Sequence, residues 1–306
     1  MFSAHAKEKN AKLPALTSVK LALNWVPEPE FGGFYAAEQS GIYKNSNLRV
    51  DLLPGGAGSP VVQMIAAGKV EFGISSADDV IIARSKGADV VALFAVYQTS
   101  PTGIMVHASR GLKSIGDVFS SGTVAIQKGY PFYDFLRKKY KTEGAKIVPY
   151  KGGITEFLND KNFAQQCFVT AEPAMARKKG ANPQVFMVAE AGFNPYTSVL
   201  VTSGKYLKKN PEIVKAMVKA SYDGWKLYLA APQPANQWMS TLNKAMDLET
   251  FNEVAYMQTS LIVTDESRKG GVGAMTEKRW NDMAAALVDL KIIREAQPAK
   301  NYFINF

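Results

Sequence analysis

Residues Leu21 to Ala37, LALNWVPEPEFGGFYAA, constrain the fold more than any other stretch, because a buried strand must run here into a turn and then a helix. Leu21, Ala22 and Leu23 are apolar without interruption, as in a strand of a sheet covered on both faces. Pro27 and Pro29 lack the amide hydrogen that a ladder or a helix interior needs, so the chain must turn there. Gly32 and Gly33 permit a close backbone approach, and Phe34-Tyr35-Ala36-Ala37 opens a helical pattern that ends near Gly41. Trp25, Glu28, Glu30 and Phe31 are thereby placed beyond the carboxyl end of a strand, where open α/β sheets hold small ligands.

The same alternation of strand and helix continues along the chain. Strands are predicted over 19–24, 48–53, 71–74 and 90–96, and helices over 31–40, 60–67 and 77–85. Gln98 to Gly103 is a polar crossover rich in turn formers, and a second series follows it. There, strands are expected at 104–106, 123–126, 146–149, 167–170 and 185–188, with helices at 131–139, 155–159 and 174–179. Asn194-Pro195-Tyr196-Thr197 reads as a second crossover. It leads through a strand at 199–201 into a long helical tail, with Tyr222, Trp225 and Tyr228 at helical spacing, that extends to about 290. Two crossovers around a middle segment imply a discontinuous lobe 1 of residues 18–100 plus 200–306 and a lobe 2 of residues 101–199. A ligand would lie between them, and closure would occur by rotation about the crossovers. At 306 residues, two lobes are also the better expectation from size.

Composition narrows the function classes. Hydrophobic residues at 47% and charged residues at 21% describe an ordinary globular chain, and its apolar runs are far too short to span a bilayer. The net charge of +9 raises the question of nucleic acid. The lysines are scattered, however, and Arg137-Lys138-Lys139 and Arg177-Lys178-Lys179 fall near predicted helix ends, where cations complement the macrodipole. No nucleic-acid partner is expected. Cys167 is the one cysteine, which excludes an internal disulfide and a cysteine-based metal cluster, and its apolar neighbours suggest buried packing. Residues 1–17 are expected to form a disordered tail. Ser3-Ala4-His5-Ala6 reads either as the remnant of an export cleavage site or as an arbitrary polar segment.

Several segments together resemble the periplasmic solute-binding proteins related to the thiamine-pyrimidine synthases, a group with aminopyrimidine, riboflavin, sulfonate and nitrate binders. The segments are Leu23-Asn24-Trp25-Val26-Pro27, Gly33-Phe34-Tyr35-Ala36-Ala37, Gly41-Ile42-Tyr43, Ala67 to Gly73, Ser100 to Val106 and Leu207 to Val214. The resemblance covers nearly the whole chain. It implies an α/β, two-lobed type II periplasmic binding protein fold with a hinge and an interlobe cleft. It also implies an exported, extracytoplasmic monomer that delivers a small molecule to an ABC transporter permease, with no cofactor. In the synthases of this group a cofactor-binding lysine stands where this chain has Ser75, and a histidine where it has Asp79. Their cysteine motif aligns with Gly192 to Tyr196, which holds no cysteine. Serine cannot form a Schiff base, so enzymatic activity is not expected.

Within that frame, Trp25 is the first candidate to stack on a flat ring, covering the sheet end being its other reading. Phe31 and Tyr35 are candidate aromatic walls, although Phe34 and Tyr35 also suit the core of the first helix. Glu28 and Glu30 would repel an anion and favour a ligand with N–H donors or positive charge, or else they only stabilise a helix N-terminus. Ser75, Ser76 and Asp78 begin the 77–85 helix. The Asp78-Asp79 pair reads as capping in preference to a metal pair, because adjacent helical side chains diverge. Lys128, Tyr130 and Glu172 follow strands in the second lobe, with a Lys128–Glu172 ion pair as the structural alternative, and Asn194 and Tyr196 sit in the second crossover. The loop Gly55 to Pro60 is either a phosphate cradle or a flexible turn, and Gly152-Gly153 shares that ambiguity. Only His5 and His107 are present, too few for a histidine triad. The ligand expected first is an aminopyrimidine thiamine precursor, with riboflavin second and a sulfonate or nitrate as a further alternative.

Overall fold

The computed structural model of the chain describes residues 15–127 and 129–306. Among the described residues, ten strands form two five-stranded sheets. The first sheet contains β1 (Thr17–Ala22), β2 (Leu48–Leu53), β3 (Phe72–Ser75), β4 (Val91–Tyr97) and β10 (Thr197–Thr202), in the order β2-β1-β3-β10-β4. The second contains β5 (Thr102–His107), β6 (Thr123–Ala125), β7 (Lys146–Val148), β8 (Phe163–Phe168) and β9 (Pro183–Met187), in the order β7-β6-β8-β5-β9. The chain crosses between the sheets from Tyr97 to Thr102 and returns from Met187 to Thr197. β1 runs parallel to β2 and β3, and β6 parallel to β7 and β8. The strand that follows each crossing runs against its neighbours: β5 is antiparallel to β8 and β9, and β10 to β3 and β4. The fold is thus two-lobed α/β, and the carboxyl ends of the parallel strands open toward the space between the lobes.

Sequence pattern tracks position in the sheets. β2 is an edge strand whose Leu48 and Val50 point inward while Arg49 and Asp51 face solvent. β4, with every residue buried, is uniformly apolar. The predicted helices over 77–85, 131–139 and 155–159 match the observed ones, and Pro131 occupies the first turn of its helix, where a missing N–H costs nothing.

Other boundaries differ from expectation. β1 starts at Thr17, so the expected tail does not extend to 17; residues 1–14 lie outside the described residues. The 167–170 strand is in fact β8 over Phe163–Phe168, and the turn before the helix Glu172–Lys178 takes up the remainder. The long helical tail is divided among several helices, the longest being Pro211–Ala230, with Pro211 and Pro232 at two of the breaks.

Gly32 and Gly33 admit a close approach, as expected, but the approaching group is protein. A Cβ on Gly33 would lie 2.2 Å from the Trp225 ring and one on Gly32 2.1 Å from Tyr228, while one on Gly224 would lie 2.3 Å from the Gly33 carbonyl. The helices Gly32–Gln39 and Pro211–Ala230 therefore meet backbone to ring. Phe34 and Tyr35 are both buried there, Tyr35 edge-on to Trp238.

Candidate functional site

A cleft lies between the sheets, enclosing about 990 Å³ of space with its open mouth included. Each wall is built from residues just past a strand. Asn24 and Trp25 follow β1, and Glu28 and Glu30 flank the turn beyond it; Ser76, Asp78 and Asp79 follow β3. From the second sheet come Gln127 after β6, Tyr150 after β7, Gln166 to Phe168 at the end of β8, and Glu172 at the start of its helix. Ser100, Thr102, Pro195 and Thr197 from the two crossovers form the back.

The turn that carries Glu28 and Glu30 is held from behind. The Asn243 side-chain amide donates to the Pro27 carbonyl at 3.1 Å, and that of Gln258 donates to the Pro29 carbonyl at 2.9 Å while its Oε1 accepts from the Tyr97 hydroxyl at 2.6 Å. These partners lie more than two hundred residues along the chain. Ser198, in the left-handed region at φ 51° within β10, donates its hydroxyl to Glu30 at 3.2 Å. The glycine loop also serves Trp25. The Gly55 amide donates to the Trp25 carbonyl at 2.9 Å, and a Cβ at Gly55 would meet the Leu23 carbonyl at 2.1 Å. Ser59 accepts from the Gly56 amide at 2.8 Å, so the loop is closed on itself and lies outside the lining, as does Gly152-Gly153.

On the facing wall, Glu172 accepts from the Tyr150 hydroxyl at 2.6 Å and from the Phe168 amide at 2.9 Å, which fixes its carboxylate against the cleft. Five carboxyl groups converge: Glu28, Glu30, Asp78, Asp79 and Glu172. Burial pushes the Glu28 carboxyl well above its usual range, Glu30 and Glu172 add to the rise, and the Trp25 indole opposes it. Burial likewise pushes Glu30 up to about 8, partly offset by the Ser198 hydroxyl. Asp78 is raised by burial and by the charge of Asp79, and one of its buried oxygens has no hydrogen-bond partner among the described residues; the Asn24 side-chain oxygen is in the same position. Glu172 is raised by burial against its two donors. Burial also holds the Cys167 thiol protonated, far from the thiolate a nucleophile needs.

The raised Glu30 has a testable consequence. The folded carboxyl binds its proton more tightly than the unfolded one, so its favourable contribution is complete below the ordinary value of 4.5 and declines as pH rises toward about 8. Ligand-free protein is expected to lose thermal stability across that window, and Glu30→Gln should flatten the decline. A variant whose pH profile retains the wild-type slope would contradict the assignment.

The structure brings Trp25, Glu28, Glu30, Ser76, Asp78, Tyr130 and Glu172 together around the cleft. Five other candidates lie elsewhere. Phe31 is wholly buried in the core of the first sheet, as is Tyr35. The Ser75 hydroxyl donates to Asp79 at 3.4 Å from the floor of the strand. Asn194 accepts from the Ser100 amide at 2.8 Å and so ties one crossover to the other. Tyr196 packs against Trp280 with Arg279 at 3.8 Å over its ring. Lys128 lies outside the described residues.

Sequence reasoning missed Asn24, Gln127, Tyr150 and Gln166. The strand-end rule that selected Trp25 would also have selected Gln127 and Tyr150. Cys167, whose apolar neighbours suggest packing alone, is buried and also lines the cleft. His107 is a satisfied core residue, its Nε2 2.7 Å from the Phe157 carbonyl. Among the described residues, no group of three or more His, Cys, Asp or Glu side chains is arranged to hold a metal ion, and no helix is long and apolar enough to cross a membrane.

Comparison with known proteins gives a consistent picture. The profile of the family described as NMT1/THI5 like matches residues 28–235. The riboflavin-binding protein RibY of Chloroflexus aurantiacus is 27% identical over 232 residues, covering 72% of this chain and 65% of that protein, so the match spans just under two thirds of that relative. A formylaminopyrimidine-binding protein of Halalkalibacterium halodurans is 23% identical over 290 residues, covering 89% of this chain and 85% of the relative. A 4-amino-5-hydroxymethyl-2-methylpyrimidine phosphate synthase of Saccharomyces cerevisiae is 24% identical over 259 residues, 78% of this chain and 74% of its own. The alkanesulfonate-binding protein SsuA of Xanthomonas axonopodis pv. citri superposes with a TM-score of 0.70 at 12% identity, covering 97% of this chain and 100% of that one. At that identity the likeness establishes the fold, that of the periplasmic binding proteins.

Proposed function

The chain belongs to the NMT1/THI5 like family, and from that membership we propose that it is the extracytoplasmic substrate-binding component of an ABC importer, taking a planar nitrogen heterocycle, first of all an aminopyrimidine precursor of thiamine. The observation that carries this reading is the pairing of an aromatic wall, Trp25, with five converging carboxyl groups. Those of the five that are ionised would repel an anion such as sulfonate or nitrate. An aminopyrimidine edge presents a ring nitrogen beside an exocyclic amine. A carboxyl group whose proton is retained near neutral pH, such as Glu30, can donate to the first and accept from the second. The formylaminopyrimidine-binding relative supports the same ligand class.

Riboflavin is the second reading, favoured by the relative RibY and by the same flat aromatic wall. A synthase activity is disfavoured. Ser75 offers no amine for a Schiff base and is bonded to Asp79, and the segment Gly192 to Tyr196 has no cysteine. The permease partner, export and monomeric state belong to the proposal with the family's transport role.

The test is a thermal-shift series on dialysed protein with formylaminopyrimidine, hydroxymethyl-aminopyrimidine, thiamine, riboflavin, taurine and nitrate. A ligand at about 100 times its dissociation constant should stabilise by about 2.7 kcal/mol. Shifts confined to pyrimidines or riboflavin are the expected result, whereas a shift with taurine or nitrate alone would refute the carboxylate argument.

A further inference from the structure

The helix Glu172–Lys178 begins in the cleft and ends outside it. Its first residue is the Glu172 that faces the ligand space, and its last turn carries Arg177 and Lys178. On sequence alone these cations only complement the helix dipole. In the folded protein they reach across to the helix Leu248–Met257, whose Phe251 and Ala255 are buried in the core of the first sheet. Lys178 Nζ lies 2.7 Å from Asp247 Oδ1 and 2.7 Å from Glu249 Oε2, and Arg177 Nη2 lies 3.0 Å from Glu253 Oε1. Asp247 is also the N-cap of its helix, accepting from the Thr250 amide at 2.8 Å. The negative end of one helix thus meets the positive end of another, each bearing side-chain charges of the sign opposite to its dipole end. A further crossing joins Lys138, on the helix Pro131–Lys139, to Asp289 at 2.5 Å.

Inside the cleft the charges have the opposite arrangement. Glu28 and Glu30 from the first lobe line the same cleft as Glu172 from the second, so wherever these carboxyl groups are ionised, approach of the lobes brings like charges together; near neutral pH the retained proton of Glu30 reduces that repulsion. Among the described residues, the titratable groups around this facing set are Tyr97, Tyr130, Tyr150, Cys167, Asp78 and Asp79, none of them cationic; Lys128 lies outside the described residues.

We propose that Arg177 and Lys178, with Asp247, Glu249 and Glu253, form an outer latch between the lobes that opposes the inner carboxylate repulsion and sets the resting balance of open and closed forms. The seven-residue helix that carries both Glu172 and the latch cations is the lever connecting ligand to latch. Exposed ion pairs add little to global stability. An open–closed equilibrium, however, is decided by differences of that size, and apparent affinity scales with the closed-competent fraction.

The experiment compares the full chain with the double charge reversal Arg177→Glu/Lys178→Glu and with that variant carrying Glu249→Lys and Glu253→Arg as well, Asp247 being kept because it caps its helix. The radius of gyration is measured by X-ray scattering without ligand, and formylaminopyrimidine affinity at low and high sodium chloride. The reversal is expected to expand the ligand-free protein, to weaken low-salt affinity about tenfold through the smaller closed fraction, and to invert its salt dependence, because salt now screens a repulsion; the swapped network should restore both. Wild-type dimensions in the reversal variant overturn the latch, as does an expansion that the swap leaves unrepaired, since that marks local damage. The scattering arm needs no ligand, so failure of the heterocycle reading would show separately, as a flat wild-type titration.

Discussion

Trp25→Ala is expected to weaken heterocycle binding about 30-fold or more while leaving the melting temperature of the ligand-free protein within a few degrees of wild type. The asymmetry follows from where the side chain sits. Trp25 is half-buried at the cleft wall, beyond β1, and touches the first core only at its margin. Its position is imposed by the backbone, through the Gly55 amide on its carbonyl, so truncating the ring removes a stacking surface without releasing the turn. A tryptophan centred in a ligand site typically contributes 2 kcal/mol or more, roughly a 30-fold change in dissociation constant. The indole also opposes the raised pKa of Glu28, so the variant should hold that carboxyl protonated to a still higher pH. Calorimetric titration with the ligand that shifts wild type is the decisive measurement. Equal affinities would remove Trp25 from the site; Trp25→Phe, which keeps a flat ring, should recover most of the loss.

Gly33→Ala should destabilise the fold strongly for so small a substitution, a loss of about 3 kcal/mol. Alanine in place of glycine would ordinarily strengthen an exposed helix by about 1 kcal/mol. Here the new methyl would stand 2.2 Å from the Trp225 ring, which is fully buried, edge-on to both Phe34 and Tyr228, and has no room to withdraw. The overpacking therefore exceeds the propensity gain. Urea denaturation checks it: a midpoint unchanged or raised would mean that the two helices can separate freely, contrary to the close contact seen between Gly33 and Gly224. Because the Gly32–Gln39 helix follows directly from the turn bearing Glu28 and Glu30, the surviving folded fraction should also bind ligand less tightly.

These two residues mark how far the sequence could be read. Trp25 was visible because two prolines and a strand end leave a tryptophan little other employment. Gly33 was visible as a point of close approach, but what approaches it is set almost two hundred residues away. For the same reason Phe31 and Tyr35 could not be told from cleft aromatics. They share a helix entry with Glu30, and only the packing of Trp225, Tyr228 and Trp238 determines which side is covered.

The sequence by itself determined the alternation of strands and helices, the two crossovers and the strand ends that carry Trp25, Ser76 and Glu172. Those are properties of local backbone chemistry and side-chain period, legible within a few residues. Only the tertiary structure decided that Glu28, Glu30, Asp78 and Glu172 share one space, that Asn243 and Gln258 buttress the turn, and that Arg177 and Lys178 span the lobes. Burial and charge proximity, which raise the cleft carboxyl groups, depend on which surfaces the assembled sheets bring together, and no stretch of sequence carries that information alone.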